Sequence, residues 1–505
     1  MTADDSPNTS SLRSRLRELV RLTAGYSIAS FIGPIFTIFL TPLYMKVLQP
    51  DDYGILELAI TFGTLMMMLG ILGLNHAVAA FFYDGDAMHG RRVLSTAALV
   101  SVGCSVVISL VITLVAQPLA TISFGSPQWA ILLYLSAFNL PFAVFYGMCQ
   151  SALRLRMEVT KANILAILYL VLTFTCIAFF VLGLNAGVLG IQMATVIVTV
   201  IVTCVGFFLT RDEWVWPART LAQPLVLAGL PLIPGSLAFW AMAYIDRLIL
   251  PLYNTSMTDL GLYAIAYRLA SMLAIAIVPF QNAWLPLALS MQNDSSARHT
   301  YSKVLTYFVA GGLGMALVLG LFAHEIFLLL AILIDKNDYI PASPYVSLLT
   351  YVAVANGAGV AVSVGAYVTK QTAALGWTTL IGAAINLLLN IILIPPFGVW
   401  GAVWATAIGY TTVPVMLYLA SQRLYAIPFE IPKVVLALGA QAAFMAIGIF
   451  YQTGDLFFDI PFKLFLLMLY GIALIILRVL EPHEIRMMLQ MARQPRAALA
   501  AVMRK

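Results

Sequence analysis

Along this chain, polar and apolar positions alternate on a long scale. Apolar runs are separated by short polar turns, and each run is long enough to span a bilayer core of about 30 Å as a helix of about 20 residues. They predict fourteen transmembrane helices, at 23–47, 53–81, 93–116, 129–152, 160–183, 187–210, 221–250, 258–285, 304–333, 344–369, 374–394, 399–421, 431–452 and 461–480. Before the first run, Leu12, Leu16, Leu19 and Val20 recur at helical spacing among four arginines. That pattern fits either a helix lying on the inner membrane surface or a simple positive-inside anchor. Proline and glycine mark where helices break: Gly33-Pro34 in the first, Asn139-Leu140-Pro141 in the fourth, and Gly229, Pro231, Pro234 and Gly235 in the seventh.

The runs also repeat. D-Y-G-I at 52–55 answers D-L-G-L at 259–262, G-V-L-G-I-Q-M-A-T at 187–195 answers G-V-W-G-A-V-W-A-T at 398–406, and Gly25 answers Gly229. Nearly constant offsets and an even number of helices per copy predict two bundles of the same orientation, related by an axis along the membrane normal. The expected fold is therefore an all-α polytopic membrane protein with two pseudo-symmetric six-helix bundles around a central cavity, followed by two extra helices. Its parts are a tail and interfacial helix at 1–22, lobes at 23–210 and 221–421, the extra helices within 431–480, and a basic tail at 481–505.

Composition sharpens this reading. Of the 505 residues, 62% are hydrophobic and only 10% charged, against about 25% charged in a soluble domain; the mean hydropathy is +0.95. With the N-terminus inside, every basic residue except Lys46, Arg247, Arg268, Lys336 and Lys463 falls on the cytoplasmic side, while the outer turns hold Asp51, Asp52, Asp259, Asp335, Asp338, Asp455 and Asp459. Both termini are then expected in the cytoplasm. This topology accounts for the net charge of +5 without a nucleic-acid partner. The four cysteines have neither disulfide nor zinc spacing. No nucleotide-binding loop or metal motif occurs, no connection is long enough for a soluble domain, and no cofactor is expected.

Ionisable groups inside apolar helices point to function by default. Arg268 shares its helical face with Gly261, Ala264 and Ser271, a small and polar surface, and its repeat counterpart is Thr61. It would offer a fork suited to phosphate oxygens, or else be neutralised by Asp246 or Glu57. Asp246 and Arg247 are neighbours expected to point about 100° apart, with Trp240 within cation–π reach of Arg247, unless both reach outward to water. Glu57, His324 and Glu325 could exchange a proton in a wet cavity or simply sit near the outer interface. Asn386 and Asn390, at i and i+4, read as glue between helices.

P-L-Y-M-K-V-L-Q-P-D-D-Y-G-I-L-E-L at 42–58 and L-G-L-N-H-A-V-A-A-F-F-Y at 72–83 resemble the opening of bacterial polysaccharide biosynthesis proteins. These are the Wzx-type oligosaccharide flippases, whose superfamily also holds the MATE carriers. Y-I-D-R-L-I-L, D-L-G-L-Y-A-I-A-Y-R-L and N-L-L-L-N-I-I-L-I-P-P-F-G-V-W-G-A-V-W-A-T are similar to later stretches of that family, so the resemblance runs from about residue 15 to 480. The arginine–aspartate signature of helix 1 expected of lipid II flippases is absent. The resemblance implies a non-enzymatic carrier of the cytoplasmic membrane. It would flip a polyprenyl-diphosphate-linked oligosaccharide for surface polysaccharide synthesis, working beside glycosyltransferases and a polymerase. On that reading Arg268, Arg247 and Asp246 would meet the substrate, and Tyr263, Tyr267 and Trp240 would stack on sugars. The alternative is a MATE-like ion-coupled antiporter, expected to favour a carboxylate-dominated cavity.

Overall fold

The structure, a computed structural model, describes residues 36 and 39–481. The surface helix expected around 12–20, most of the run at 23–47 and the tail beyond Glu481 lie outside the described residues. Within them every regular element is helical. In chain order these are α1 (39–47), α2 (Pro50–Ile71), α3 (Leu74–Phe81), α4 (Ala87–Phe124), α5 (Ala130–Leu155), α6 (Val159–Ala178), α7 (Gly187–Leu209), α8 (Arg219–Gly229), α9 (Ile233–Leu252), α10 (Met257–Ala270), α11 (Ala274–Ser290), α12 (Ala297–Leu321), α13 (Ala323–Ile334), α14 (Ser343–Val362), α15 (Val364–Val368), α16 (Ala373–Phe397), α17 (Val399–Leu424), α18 (Ile431–Phe450) and α19 (Leu456–Ile476).

Among the described residues, thirteen helical stretches are long and apolar enough to cross a membrane. Each coincides with one of the predicted runs from 53–81 onward. Several of those runs are not straight helices. The run at 221–250 breaks where its prolines and glycine predict, with a 3₁₀ turn at Leu230–Leu232 between α8 and α9. The run at 53–81 breaks at Leu72 and Gly73, both in the left-handed region, a stop that no proline announces. The run at 258–285 is interrupted by a 3₁₀ turn at Ser271–Leu273, and the run at 304–333 is split at Phe322. In the two hairpins of the G-V-x-G motifs, Gly187 and Gly398 share a left-handed backbone, with φ of 54° and 55°, a conformation in which any Cβ would be strained.

Helix α4 is inside-out relative to a helix of a soluble protein. α4 exposes Leu99, Val106, Val107, Leu110, Val111 and Leu114 while burying Ser95, Thr96, Ala97, Ala98, Ser101 and Ser105. Large apolar side chains face outward and small or hydroxylated ones face other helices, as a lipid solvent requires. A half-buried hydroxyl of α4 bonds to a neighbouring helix: Ser109 donates to the Ala137 carbonyl of α5 at 2.6 Å. Asp86 begins the helix by accepting from the His89 amide at 2.7 Å.

The chain divides into two compact units. One holds residues up to Arg268 with Leu333–Tyr339 and Ala383–Ala405; the other holds Leu269–Ile332, Ile340–Gly382 and Thr406 onward. In the first, α2 packs on α4, α5 and α9, α5 on α7, and α3 on α8. Asn386 donates to the Ala405 carbonyl at 3.1 Å, gluing α16 to α17. In the second, α12 packs on α14, α18 and α19, and Tyr470 donates to the Ala310 carbonyl at 3.0 Å.

Candidate functional site

Two arginines, Arg247 buried and Arg268 half-buried, organise the first unit. Helical spacing puts Trp240, Tyr244 and Arg247 on one side of α9, and Trp240 stacks on Tyr244 with ring centroids 6.0 Å apart. Tyr263, Tyr267 and Arg268 come from α10, Glu57 and Thr61 from α2, and Tyr44 from α1. Arg247 donates from Nε to Glu57 Oε1 at 2.9 Å and from Nη1 to Asp246 Oδ1 at 3.0 Å. It also reaches the Ala243 carbonyl at 2.6 Å. Tyr263 donates its hydroxyl to the other oxygen of Asp246. The Arg247 guanidinium lies 5.2, 5.5 and 4.6 Å from the rings of Tyr244, Tyr263 and Tyr267. Burying a lone guanidinium costs several kcal/mol; two carboxylates and three ring faces offset that cost here.

Arg268 is held differently. Its Nη2 lies 3.7 Å from Glu57 Oε2, an ion pair longer than a hydrogen bond, and its guanidinium sits 5.6 and 5.5 Å from the Tyr44 and Tyr53 rings. Its side chain is 19% exposed against 2% for Arg247. Glu57 is thus shared, one oxygen to each arginine. Among the described residues two guanidiniums face two carboxylates, and of the two pairs on Glu57 that of Arg268 is the longer.

Several expectations change on contact with this geometry. Asp246 and Arg247 do not point apart: the long arginine folds back along its helix to meet its neighbour. Neither reaches outward to water, since both are buried. Trp240 gives Arg247 no cation–π contact; that role falls to the three tyrosines, and the indole instead donates to Thr64 at 3.1 Å. Glu57 is buried at 6% exposure rather than at an interface. Tyr53 and Tyr44 were missed, although the P-L-Y and D-D-Y-G motifs carry them. His324 and Glu325 belong to the second unit, where Glu325 accepts from Lys463.

The all-helical build and its thirteen stretches long and apolar enough to cross a membrane define a multi-pass membrane protein. The chain belongs to the polysaccharide biosynthesis protein family, whose model matches residues 45–333. Its fold is similar to that of the lipid II flippase MurJ in an inward closed conformation, with a TM-score of 0.71 at 14% identity over 88% of this chain and 97% of that one. It is also similar to an inward-facing multidrug resistance MATE transporter of the MOP superfamily, with a TM-score of 0.60 at 15% identity over 80% and 98%. An outward-facing MATE transporter aligns with a TM-score of 0.52 at 18% identity over 81% and 95%. No curated protein matches the chain.

Proposed function

We propose that this protein is a flippase. It moves a polyprenyl-diphosphate-linked oligosaccharide from the inner to the outer leaflet of the cytoplasmic membrane, supplied by glycosyltransferases and feeding a polysaccharide polymerase. Transport proceeds by alternating access of the lobes at 23–210 and 221–421, with both termini in the cytoplasm. Family membership and the flippase-like fold support the class. The observation that carries the substrate reading is Arg268, a partly exposed intramembrane arginine on a shared carboxylate. A bare diphosphate in hydrocarbon would cost on the order of tens of kcal/mol, and a bidentate guanidinium is the side chain best shaped to lower that cost. Arg268 lies eleven residues beyond Met257, about 16 Å along the helix at 1.5 Å per residue, near mid-membrane. A MATE-like antiporter would need a carboxylate available to a cationic cargo, whereas Glu57 and Asp246 are both engaged by arginine.

Arg268→Ala is expected to leave the protein inserted but unable to restore surface glycan in a strain lacking it. Arg268→Lys should restore only part, because an ammonium keeps the charge but loses the fork. Normal export by Arg268→Ala at wild-type expression would overturn the substrate site.

A further inference from the structure

Just above the arginines, α2 and α10 meet backbone to backbone. A Cβ on Gly54 would fall 2.2 Å from the Met257 carbonyl oxygen, and one on Gly261 would fall 1.8 Å from that of Pro50. These are the glycines of the matched D-Y-G-I and D-L-G-L motifs, and a side chain at either position would have to push the two backbones apart. Glu57 lies one turn past Gly54, and Arg268 two turns past Gly261. Helical side chains lean toward the N-terminus, so the long arginine reaches back to the shorter glutamate. The Glu57–Arg268 pair therefore spans the same two helices that the glycines press together.

Resting on the assignment of Arg268 to the substrate diphosphate, we propose that Glu57 is a built-in competitor for that anion. It holds Arg268, and with it the α2–α10 contact, whenever no substrate is bound. A diphosphate that takes Arg268 removes one of the attractions joining the helices and leaves Glu57 on Arg247 alone. Substrate binding and separation of α2 from α10 then favour each other, and linkage makes the coupling reciprocal. Whatever parts the helices must tighten binding by the same factor that binding parts them. In the empty carrier the end bearing Pro50 and Met257 stays shut, which prevents an idle cycle.

The test uses the full-length protein in nanodiscs, with geranylgeranyl diphosphate as the probe for the sugar-free headgroup. The four native cysteines are replaced by alanine. Spin labels stand at Asp51 and Thr258, one turn outward of the glycine pair and both exposed. Glu57→Gln is expected to bind the probe roughly tenfold more tightly, the ratio that corresponds to one lost ion pair of about 1.4 kcal/mol. It should also lengthen the label-to-label distance without ligand. Gly54→Ala, which changes no charge, should shift both readouts in the same direction, and it decides the matter alone if Glu57→Gln does not fold. Unchanged or weaker binding by these variants, with binding lost in Arg268→Ala, would refute the competitor and leave the substrate site standing. Binding by Arg268→Ala equal to wild type would refute both.

Discussion

Each unit buries charge among its apolar helices, and the two do it in opposite ways. In the second unit Lys463 of α19 and Glu325 of α13 form one closed pair, the lysine 2% exposed and 5.9 Å from the Phe322 ring. In the first unit two arginines divide a single glutamate, and one of them keeps a partly exposed edge. A pair this deeply buried gains nothing by opening, since the carboxylate would then face a low dielectric alone. A shared carboxylate can shift toward either partner at far lower cost. The closed pair reads as a staple that fastens α19 to the helices before it, and the shared glutamate as a moving part.

This contrast can be broken from its strongest side first. Lys463→Ala strands a buried carboxylate and is expected to cost about 3–5 kcal/mol, seen as a large drop in thermal unfolding temperature in detergent. Replacing both partners with Lys463→Met and Glu325→Leu should recover most of that stability and leave export intact. If the double replacement folds but abolishes export, the pair is part of the transport machinery and the contrast fails. Tyr263→Phe comes next. It removes a hydrogen bond to the charged Asp246, worth about 1.5–3 kcal/mol. The loss should loosen the tyrosine setting of Arg247 and lower both stability and export, and unchanged unfolding would show that the hydroxyl does not hold the cluster.

The smallest effect concerns the loop before α18. Burial disfavours the Glu430 carboxylate, but hydrogen bonds from Lys433, Lys303 and Thr306 outweigh it and hold its pKa below the ordinary 4.5. Lys433 and Lys303 lie 3.0 and 3.1 Å from it. Because the folded pKa is the lower one, this stabilisation is full above the unfolded value and fades as pH falls through the folded value. Amide exchange at 425–430 should therefore rise only in acid below about pH 4 and should stay flat in Glu430→Gln. A rise near neutral pH would assign the loop to another group. Unit 1 has a similar latch, in which Arg156 holds Glu213 at 2.6 Å and Ser95 accepts from the Val215 amide at 3.0 Å.

How much of this the chain announced depends on the range of the interaction. Apolar runs, positive-inside bias and the proline-marked break at Gly229–Pro234 are local or additive properties, and they predicted thirteen of the helical stretches described. The break at Leu72–Gly73 was not legible. It depends on Gly73 lying against Gly229, 2.5 Å from that carbonyl oxygen to a Cβ built on Gly73, a contact between segments more than 150 residues apart. Arg268 stood out as a functional candidate because an intramembrane charge is costly wherever it is placed. Its partner was left open between Asp246 and Glu57, since helical spacing gives a residue's direction on its own helix and not what a second helix brings opposite.

By itself, then, the sequence determined the membrane, the helices, the family and the identity of the residues that must be paid for in charge. Only the tertiary structure decided that Glu57 reaches across 190 residues to Arg247 and also meets Arg268, and that Lys463 and Glu325 close on each other across 138. The reason is physical. Solvent preference is summed residue by residue along the chain, whereas the worth of a buried charge lies in a partner a few ångströms away, and only folding sets that distance.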